Sequence, residues 1–181
     1  MGGPEINRQG LYADTPPLES SQFRSLFRET ECFYEGNPVS AQGRCQEKPV
    51  RYCKDAYELI LQPGDTCLSV HIPDTGDFSQ QSCERSYSRA AAIFRAHFPE
   101  LEIKACHCHS WMMAPELDTI LKPDSRILAF SSKYLRYPIP TQGEDVLNFV
   151  FLLKYKTYED LAEDTSLQRA LKKRYLKGQY L

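Results

Sequence analysis

The chain has 181 residues, of which 41% are hydrophobic and 25% are charged, and its formal net charge is -2 at pH 7. This composition is close to the average of globular proteins, so it excludes a fibrous or wholly disordered chain and predicts one ordinary domain with a core. The small net charge provides no field that would attract nucleic acid or an anionic membrane, and no apolar run is long enough to span a bilayer.

The cysteines and the first residues of the chain indicate the cellular compartment in which the protein is expected. The seven cysteines are an odd number and are scattered along the chain. Disulfide frameworks are typical of small secreted proteins, whereas scattered thiols are typical of a reducing interior. The first five residues, MGGPE, lack the basic start and apolar middle of a signal peptide. We therefore expect a cytoplasmic protein with free thiols.

The N-terminal part of the chain divides into two regions. Residues 1–28 open with a polar, Gly- and Pro-rich stretch and predict a tail or linker, so the domain is expected to occupy residues 29–181. Glu31–Tyr34 predicts a strand. A turn at residues 36–38 separates it from a second apolar stretch within Pro49–Leu61, and the two predict a hairpin or meander.

The stretch from Asp65 to Trp111 has the pattern of strand, turn, helix and strand. Cys67–Ile72 predicts a short strand that ends at turn residues, and Ser79 is a plausible N-cap for a following helix. The helix is indicated by apolar positions at three-and-four spacing: Cys83, Tyr87, Ala90, Ala91, Phe94 and Phe98. Ile103–Trp111 alternates as a second strand. This order predicts a right-handed parallel unit, and ligands of such units collect beyond the carboxyl ends of the strands.

Short elements follow this unit. Ala114–Leu121 predicts a two-turn helix with proline in its first turn. Arg126–Ile139 predicts a long strand with a bulge or hairpin at its polar centre. Asp145–Tyr155 favours a helix, although an alternating strand pattern also fits.

The last helix carries clear signals at both ends. Thr165 and Gln168 form a capping box, and Gly178 is the expected C′ residue. Its basic outer face suits a solvated surface and the negative end of the helix dipole.

Four segments resemble, in order and spacing, the GNAT-like C-terminal domain of a group of bacterial proteins whose acyltransferase label is inferred from fold. The segments are LQPGDTCLSVHIPDTGDFS, ACHCHSWMMAPEL, SRILAFSSKY and EDTSLQRALKKRYLKG. The resemblance runs from about Phe33 to the end of the chain. It implies an α/β (α+β) fold with a GNAT-like mixed sheet, a central strand-helix-strand unit and flanking helices. Relatives have a further N-terminal domain and continue past the last helix, so we expect a partial polypeptide, truncated at its C-terminus.

The resemblance also implies a cofactor, acetyl-CoA or another acyl-CoA, and a small-molecule acceptor. In GNAT proteins the pyrophosphate lies at the turn before the helix, where backbone N–H groups attract anions. The matching residues here are Thr75, Gly76, Asp77, Phe78, Ser79 and Gln80. The usual glycine-rich loop is absent, and Asp74 and Asp77 place negative charge where the phosphate should arrive.

Acyl transfer to an amine requires a base for the amine proton and an acid for the departing thiol. His71 and His109 lie near the predicted ends of the two strands, and an imidazole can accept a proton near neutral pH. These two residues are the predicted catalytic pair. Ser110 and Tyr134 are weaker candidates for the proton donor.

Two other classes of function remain open. The missing glycine loop and the acidic turn favour a non-catalytic, GNAT-shaped domain that binds a ligand or partner. Alternatively, His107 and His109 on one strand face, with His71 as a third ligand, could build a metal-dependent hydrolase. Cys106 and Cys108 lie on the opposite strand face and are expected to be buried thiols.

Overall fold

The computed structural model describes residues 2–12, 22–73, 77–139, 144–179 and 181. The strands are β1 Gly2–Ile6, β2 Phe23–Glu29, β3 Phe33–Gly36, β4 Val50–Cys53, β5 Thr66–Ser69 and β6 Ile103–His107. The helices are α1 Gln80–His97, α2 Leu117–Ile120, α3 Arg126–Ser131, α4 Glu144–Phe149 and α5 Ser166–Tyr175. Short 3-10 helices lie at Trp111–Met113 and Tyr158–Asp160. The fold is the predicted mixture of strands and helices, and no helix in these ranges is long and apolar enough to cross a membrane.

The first four strands form an antiparallel sheet in the order β1-β2-β3-β4. The predicted meander is confirmed by the pairing of β3 with β4, in which Tyr34 lies opposite Tyr52. The sheet also includes Gly2–Ile6 and most of the segment from Phe23, which the sequence assigned to a tail or linker. These strands form because β1 pairs with β2 and Ile6 is buried, contacts that no local pattern in the sequence reveals.

Arg136 joins the antiparallel sheet to the helices. Its guanidinium donates to both Asp118 carboxylate oxygens, at 3.0 and 2.8 Å, and to the Ala41 carbonyl at 3.4 Å. Gly43 lies against the same side chain with φ +77, and a Cβ there would come within 2.8 Å of the Arg136 Cβ. Glycine therefore permits the close approach of this loop to the helical part.

β5, α1 and β6 form the predicted strand-helix-strand unit. β5 and β6 pair in parallel, as expected, and the Val70 N–H extends the pairing by donating to the His107 carbonyl at 2.8 Å. Both strands are shorter than predicted, because the chain leaves the sheet at Ser69 and His107. The N-cap is confirmed, since the Ser79 hydroxyl accepts from the Ser82 N–H at 3.3 Å.

The hydrophobic core cluster of the described residues begins at Leu117 and lies among α2, α4, α5 and the segments between them. Its members are Leu117, Val146, Leu147, Phe151, Leu161, Leu171, Tyr175 and Leu181. The helices predicted at Ala114–Leu121 and Asp145–Tyr155 are present as α2 and α4. Their burial against α5 explains why such short helices persist.

The prediction of a strand over Arg126–Ile139 is wrong, because this segment begins with α3. The Ser125 hydroxyl accepts from the Ile127 N–H at 3.2 Å and caps the helix. Phe130 is then buried by contacts with residues distant in sequence. The Ser125 cap and the packing of Phe130 thus produce a helix, although the composition of the segment favours a strand.

Both ends of α5 have the predicted geometry. Thr165 and Gln168 form the reciprocal capping box. At the other end Gly178 has φ +68, the Gly178 N–H donates to the Tyr175 carbonyl, and the Gln179 N–H donates to the Arg174 carbonyl. These two bonds form a Schellman motif with Gly178 at C′.

Candidate functional site

The carboxyl ends of β5 and β6 lie side by side, and one predicted catalytic histidine follows each strand. His71 and His109 are both exposed at this rim. The His71 Nε2 atom lies 3.3 Å from the Ser69 hydroxyl, a hydrogen bond that orients the ring. This exposure leaves each ring accessible to solvent and to a ligand at the rim, and in the described ranges no hydrogen bond joins the two histidines.

The turn before α1 already holds a carboxylate at the helix N-terminus. Asp77 accepts from the Ser79 N–H at 3.0 Å and from the Ser79 hydroxyl at 2.8 Å. These bonds hold the pKa of Asp77 below its usual range, so its carboxylate is ionised at neutral pH. The Gln80 side chain turns along the helix and donates to Glu84. Thr75 and Gly76, which were predicted to bind the cofactor, lie outside the described residues, as does Asp74.

A column of aromatic rings places α3 against this turn. Phe78 contacts the buried Phe130 with ring centroids 4.8 Å apart, and Phe130 contacts Tyr134 at 5.2 Å. The Tyr134 hydroxyl lies 2.7 Å from the Tyr87 hydroxyl of α1. Phe78 is thus held by packing, which fixes the residue that immediately precedes the cap of α1.

Arg126, at the start of α3, is a residue that sequence reasoning missed. Hydrogen bonds from Ser79 are the main cause of the lowered pKa of Asp77, and the positive charge of Arg126 adds to them. Arg126 therefore supplies a cation near the acidic turn. No local motif could have indicated this role, because the sequence placed Arg126 in a strand.

The hydroxyls of Tyr87 and Tyr134 keep their protons. Burial raises the pKa of both phenols, and their mutual hydrogen bond raises that of Tyr134 further. One hydroxyl donates to the other, which leaves a single remaining O–H available to a third group. This pair is the best-defined polar feature between α1 and the segment after α3.

The cysteine that follows β6, Cys108, has low nucleophilic reactivity. Burial raises the pKa of Cys108, so its thiol is neutral and a poor nucleophile. All seven cysteines, each within the described ranges, are free thiols. Cys108 is half-buried, but Cys106 is exposed, which corrects the expectation that both are buried. The two cysteines thus differ in exposure, although both are free thiols.

The described residues contain no group of three or more His, Cys, Asp or Glu side chains placed to hold a metal ion. His71, His107 and His109 are all described, so their nitrogens do not form the ligand set that the hydrolase alternative requires. Ser110 acts as a cap, because its hydroxyl accepts from the Met112 N–H at 3.2 Å. Trp111 packs against the helical core, as its size suggests.

Comparisons with known proteins identify the fold. Residues 21–181 match the family described as GNAT-like C-terminal domain. A solved acyltransferase in complex with decanoyl-CoA is similar, with a TM-score of 0.58 and 25% identity over 86% of this chain and 43% of that chain. An acyltransferase in complex with decanoyl-CoA and teicoplanin has a TM-score of 0.55 and 21% identity over 85% of this chain and 43% of that chain.

A third solved acyltransferase, in complex with CoA and 10C-teicoplanin, has a TM-score of 0.55 and 20% identity, again over 85% of this chain and 43% of that chain. These likenesses confirm the predicted GNAT-like fold. The chain spans less than half the length of the solved acyltransferases that it matches. A comparison with curated proteins gave no significant match.

Proposed function

Since the chain belongs to the family of GNAT-like C-terminal domains, we propose that it moves an acyl group from an acyl-CoA to a small-molecule acceptor. The observation that carries the proposal is the parallel β5–β6 pair, whose carboxyl ends lie beside two accessible histidines, together with a capped helix N-terminus after β5. Seven free thiols support a cytoplasmic reaction, and a bacterial origin is suggested by the sequence resemblance.

The coenzyme site is proposed at residues 75–80, with Arg126 as an additional contact to the pyrophosphate. Backbone N–H groups at the start of α1 and the Arg126 guanidinium are both suited to an anion. The presence of decanoyl-CoA in a solved relative supports an acyl-CoA as the donor.

The proposed chemistry is direct transfer to an amine. The amine nitrogen attacks the thioester carbonyl, a C–N bond forms, and the C–S bond breaks. His109 or His71 takes the proton lost by the amine, and the departing thiolate receives a proton from the hydroxyl pair of Tyr134 and Tyr87. The raised pKa of Tyr134 keeps its hydroxyl protonated before the transfer, although it also makes the phenol a weaker acid for the thiolate.

A second candidate is a non-catalytic domain that binds a ligand or partner. It is favoured by Asp77, whose carboxylate already occupies amide and hydroxyl donors at the start of α1 and repels a phosphate there. Coenzyme binding distinguishes the two candidates, because an acyltransferase of this type needs the coenzyme and a partner-binding domain does not.

Calorimetric titration of the purified chain with acetyl-CoA, decanoyl-CoA and free CoA tests the proposal. We expect binding that weakens in Gly76→Leu and in Arg126→Gln, while Ala96→Leu and Arg85→Gln at exposed positions elsewhere on α1 leave it unchanged. Absence of binding at millimolar ligand to the folded chain would contradict the coenzyme site and favour the second candidate.

The catalytic roles are tested once an acceptor amine supports turnover. We expect His109→Asn or His71→Asn to lower kcat by about 100-fold or more, because a general base contributes roughly 100- to 10,000-fold. Tyr134→Phe should lower kcat while leaving the affinity for acyl-CoA unchanged. Two histidine variants with wild-type kcat would exclude the histidines as bases.

A further inference from the structure

One face of the sheet formed by β2, β3 and β4 carries four neighbouring aromatic rings. Tyr34 and Tyr52 lie directly opposite each other on β3 and β4, so both side chains are on the same face. The Phe27 ring stacks beside Tyr34 with centroids 6.2 Å apart and an interplanar angle of 19°. The Tyr57 ring packs edge-on against Tyr52 with centroids 5.0 Å apart. Phe27, Tyr34, Tyr52 and Tyr57 thus form one continuous surface, which we call the aromatic platform.

The aromatic platform is not buried by the rest of the described chain. No residue of β2, β3 or β4 is buried. Phe27 is 50% exposed and Tyr57 is 55% exposed, and the other two rings are half-buried. Cross-strand pairing stabilises the sheet through Tyr34 and Tyr52, but Tyr57 lies beyond the strands and takes no part in it. Single exposed rings are normal, whereas contiguous exposed apolar surface is a feature of binding sites.

The charges on this face of the sheet cancel. Glu29 lies opposite Tyr34 on the same face, and Lys54 donates to the Glu29 carboxylate at 2.6 Å. The Lys54 ammonium also lies 4.9 Å from the centroid of the Tyr34 ring, so it occupies a ring face that would otherwise attract a cationic ligand. Nucleic acid binding requires an excess of cations, which this face lacks. The aromatic platform is therefore suited to an uncharged ligand.

Hydroxyl groups and a gap in the surface complete the aromatic platform. Among the described residues its three tyrosine hydroxyls have no hydrogen-bond partner, so each can donate to a ligand. Gly36 lies between Phe27 and Val50 in one row of the sheet. A Cβ at Gly36 would lie 3.5 Å from the Phe27 Cδ2 atom, so glycine leaves a shallow gap beside this ring. The surface thus offers apolar rings, a gap between them and hydrogen-bond donors.

We propose that the aromatic platform binds a proline-rich segment of a partner protein in the polyproline II conformation. Proline rings are apolar and dock against surfaces lined by aromatic side chains. The polyproline II backbone has no internal hydrogen bonds, so its carbonyl groups can accept from the tyrosine hydroxyls. Such a segment is also uncharged, as the cancelled charges of this face require. The inference goes beyond the proposed acyl transfer and does not depend on it.

The test is a titration of the full chain with an acetylated and amidated oligoproline of about eight residues, long enough for a polyproline II helix. NMR of the tyrosine and phenylalanine rings follows the titration. We expect saturable shifts of the platform rings and a dissociation constant below about 1 mM. A Gly/Ser peptide of equal length is flexible and should not bind. Absence of saturable shifts would overturn the proposal, and so would binding of cellohexaose, an uncharged oligosaccharide, in place of the peptide.

Variants distinguish direct binding from an effect on the sheet. Tyr52→Ala and Tyr57→Ala should each weaken oligoproline binding at least about 10-fold, because a few aromatic anchors dominate binding energy. Tyr52→Phe should weaken it about 2- to 10-fold, the equivalent of one hydrogen bond. Phe33→Ala is the matched control, because it removes a ring from the opposite face of β3 and should leave the affinity unchanged.

Circular dichroism verifies that each variant is folded. Tyr57 follows β4 and lies outside the strands, so Tyr57→Ala remains informative if Tyr52→Ala unfolds the sheet. Wild-type affinity in both of these variants would overturn the proposal. An equal loss of affinity in folded Phe33→Ala would also overturn it, since the rings would then act through the sheet and not through contact with the peptide.

Discussion

The hydroxyl groups of Tyr87 and Tyr134 lie 2.7 Å apart, so a hydrogen bond links the middle of α1 to the segment that follows α3. The neighbouring Lys133 donates to Glu84 of α1 at 2.8 Å. With the contact of Phe78 on Phe130, these interactions join the strand-helix-strand unit to the helices. The orientation of the unit therefore depends on a few identifiable side chains.

A double-mutant cycle on Tyr87→Phe and Tyr134→Phe should reveal this link. Each single change removes one hydroxyl, leaves its half-buried partner unpaired and should cost about 1 kcal/mol in the free energy of unfolding. The double variant should cost little more than either single variant, since it leaves no unpaired hydroxyl. Urea unfolding measures the three values, and strict additivity would contradict a direct bond.

The capping box of α5 predicts a second measurable effect. The Thr165 hydroxyl accepts from the Gln168 N–H at 3.1 Å, and the Gln168 side chain accepts from the Thr165 N–H at 2.9 Å. Thr165→Ala should lower the free energy of unfolding by about 1 kcal/mol, since caps of this kind contribute that much. Ser166→Ala, one residue further on, is the control and should change it by less than ~0.5 kcal/mol.

The elements that the sequence predicted correctly have complete local signals. Ser79 and the spacing of Tyr87 and Phe94 determine α1, and the caps of α5 are visible in the sequence. β1 has no such signal, and the only local signal of α3 is its Ser125 cap. β1 depends on a partner more than fifteen residues away, and α3 depends on the burial of Phe130 beneath Phe78.

The same distinction applies to the candidate site. His71 and His109 could be placed at the strand ends from alternation and from the parallel connection. The position of Arg126 near Asp77 could not, because it depends on the packing of α3 against the turn. The pairing of Tyr134 with Tyr87 likewise joins residues 47 positions apart.

Arg136 is expected to be sensitive to a conservative change. Its side chain is 11% exposed and binds both carboxylate oxygens of Asp118. Lysine lacks the planar fork that makes both bonds, so Arg136→Lys should lower the free energy of unfolding by ~1.5 kcal/mol. Arg24→Lys is the matched control, because Arg24 pairs with Glu5 at 66% exposure and should change it by less than ~0.5 kcal/mol. Thermal unfolding measures the stability of both variants. Equal losses of stability in Arg136→Lys and Arg24→Lys would show that Arg136 does not join the sheet to the helices.

Asp77 should weaken coenzyme binding at the turn where we propose the pyrophosphate lies. Its lowered pKa keeps the carboxylate negative at neutral pH, where it opposes an incoming phosphate. Asp77→Asn removes the charge but retains an oxygen that accepts from the Ser79 N–H. The affinity for free CoA should therefore rise, by about 2- to 5-fold if the effect equals that of one charge at a helix terminus.

Glu47→Gln makes the same change in net charge at an exposed residue distant in sequence and should leave the affinity unchanged. High salt should reduce the difference between wild type and Asp77→Asn, because an exposed charge is screened. Calorimetry at two salt concentrations measures both effects. A lower affinity in Asp77→Asn would show instead that the carboxylate orders the turn for binding, and the pyrophosphate would then have to be placed on donors that Asp77 leaves free.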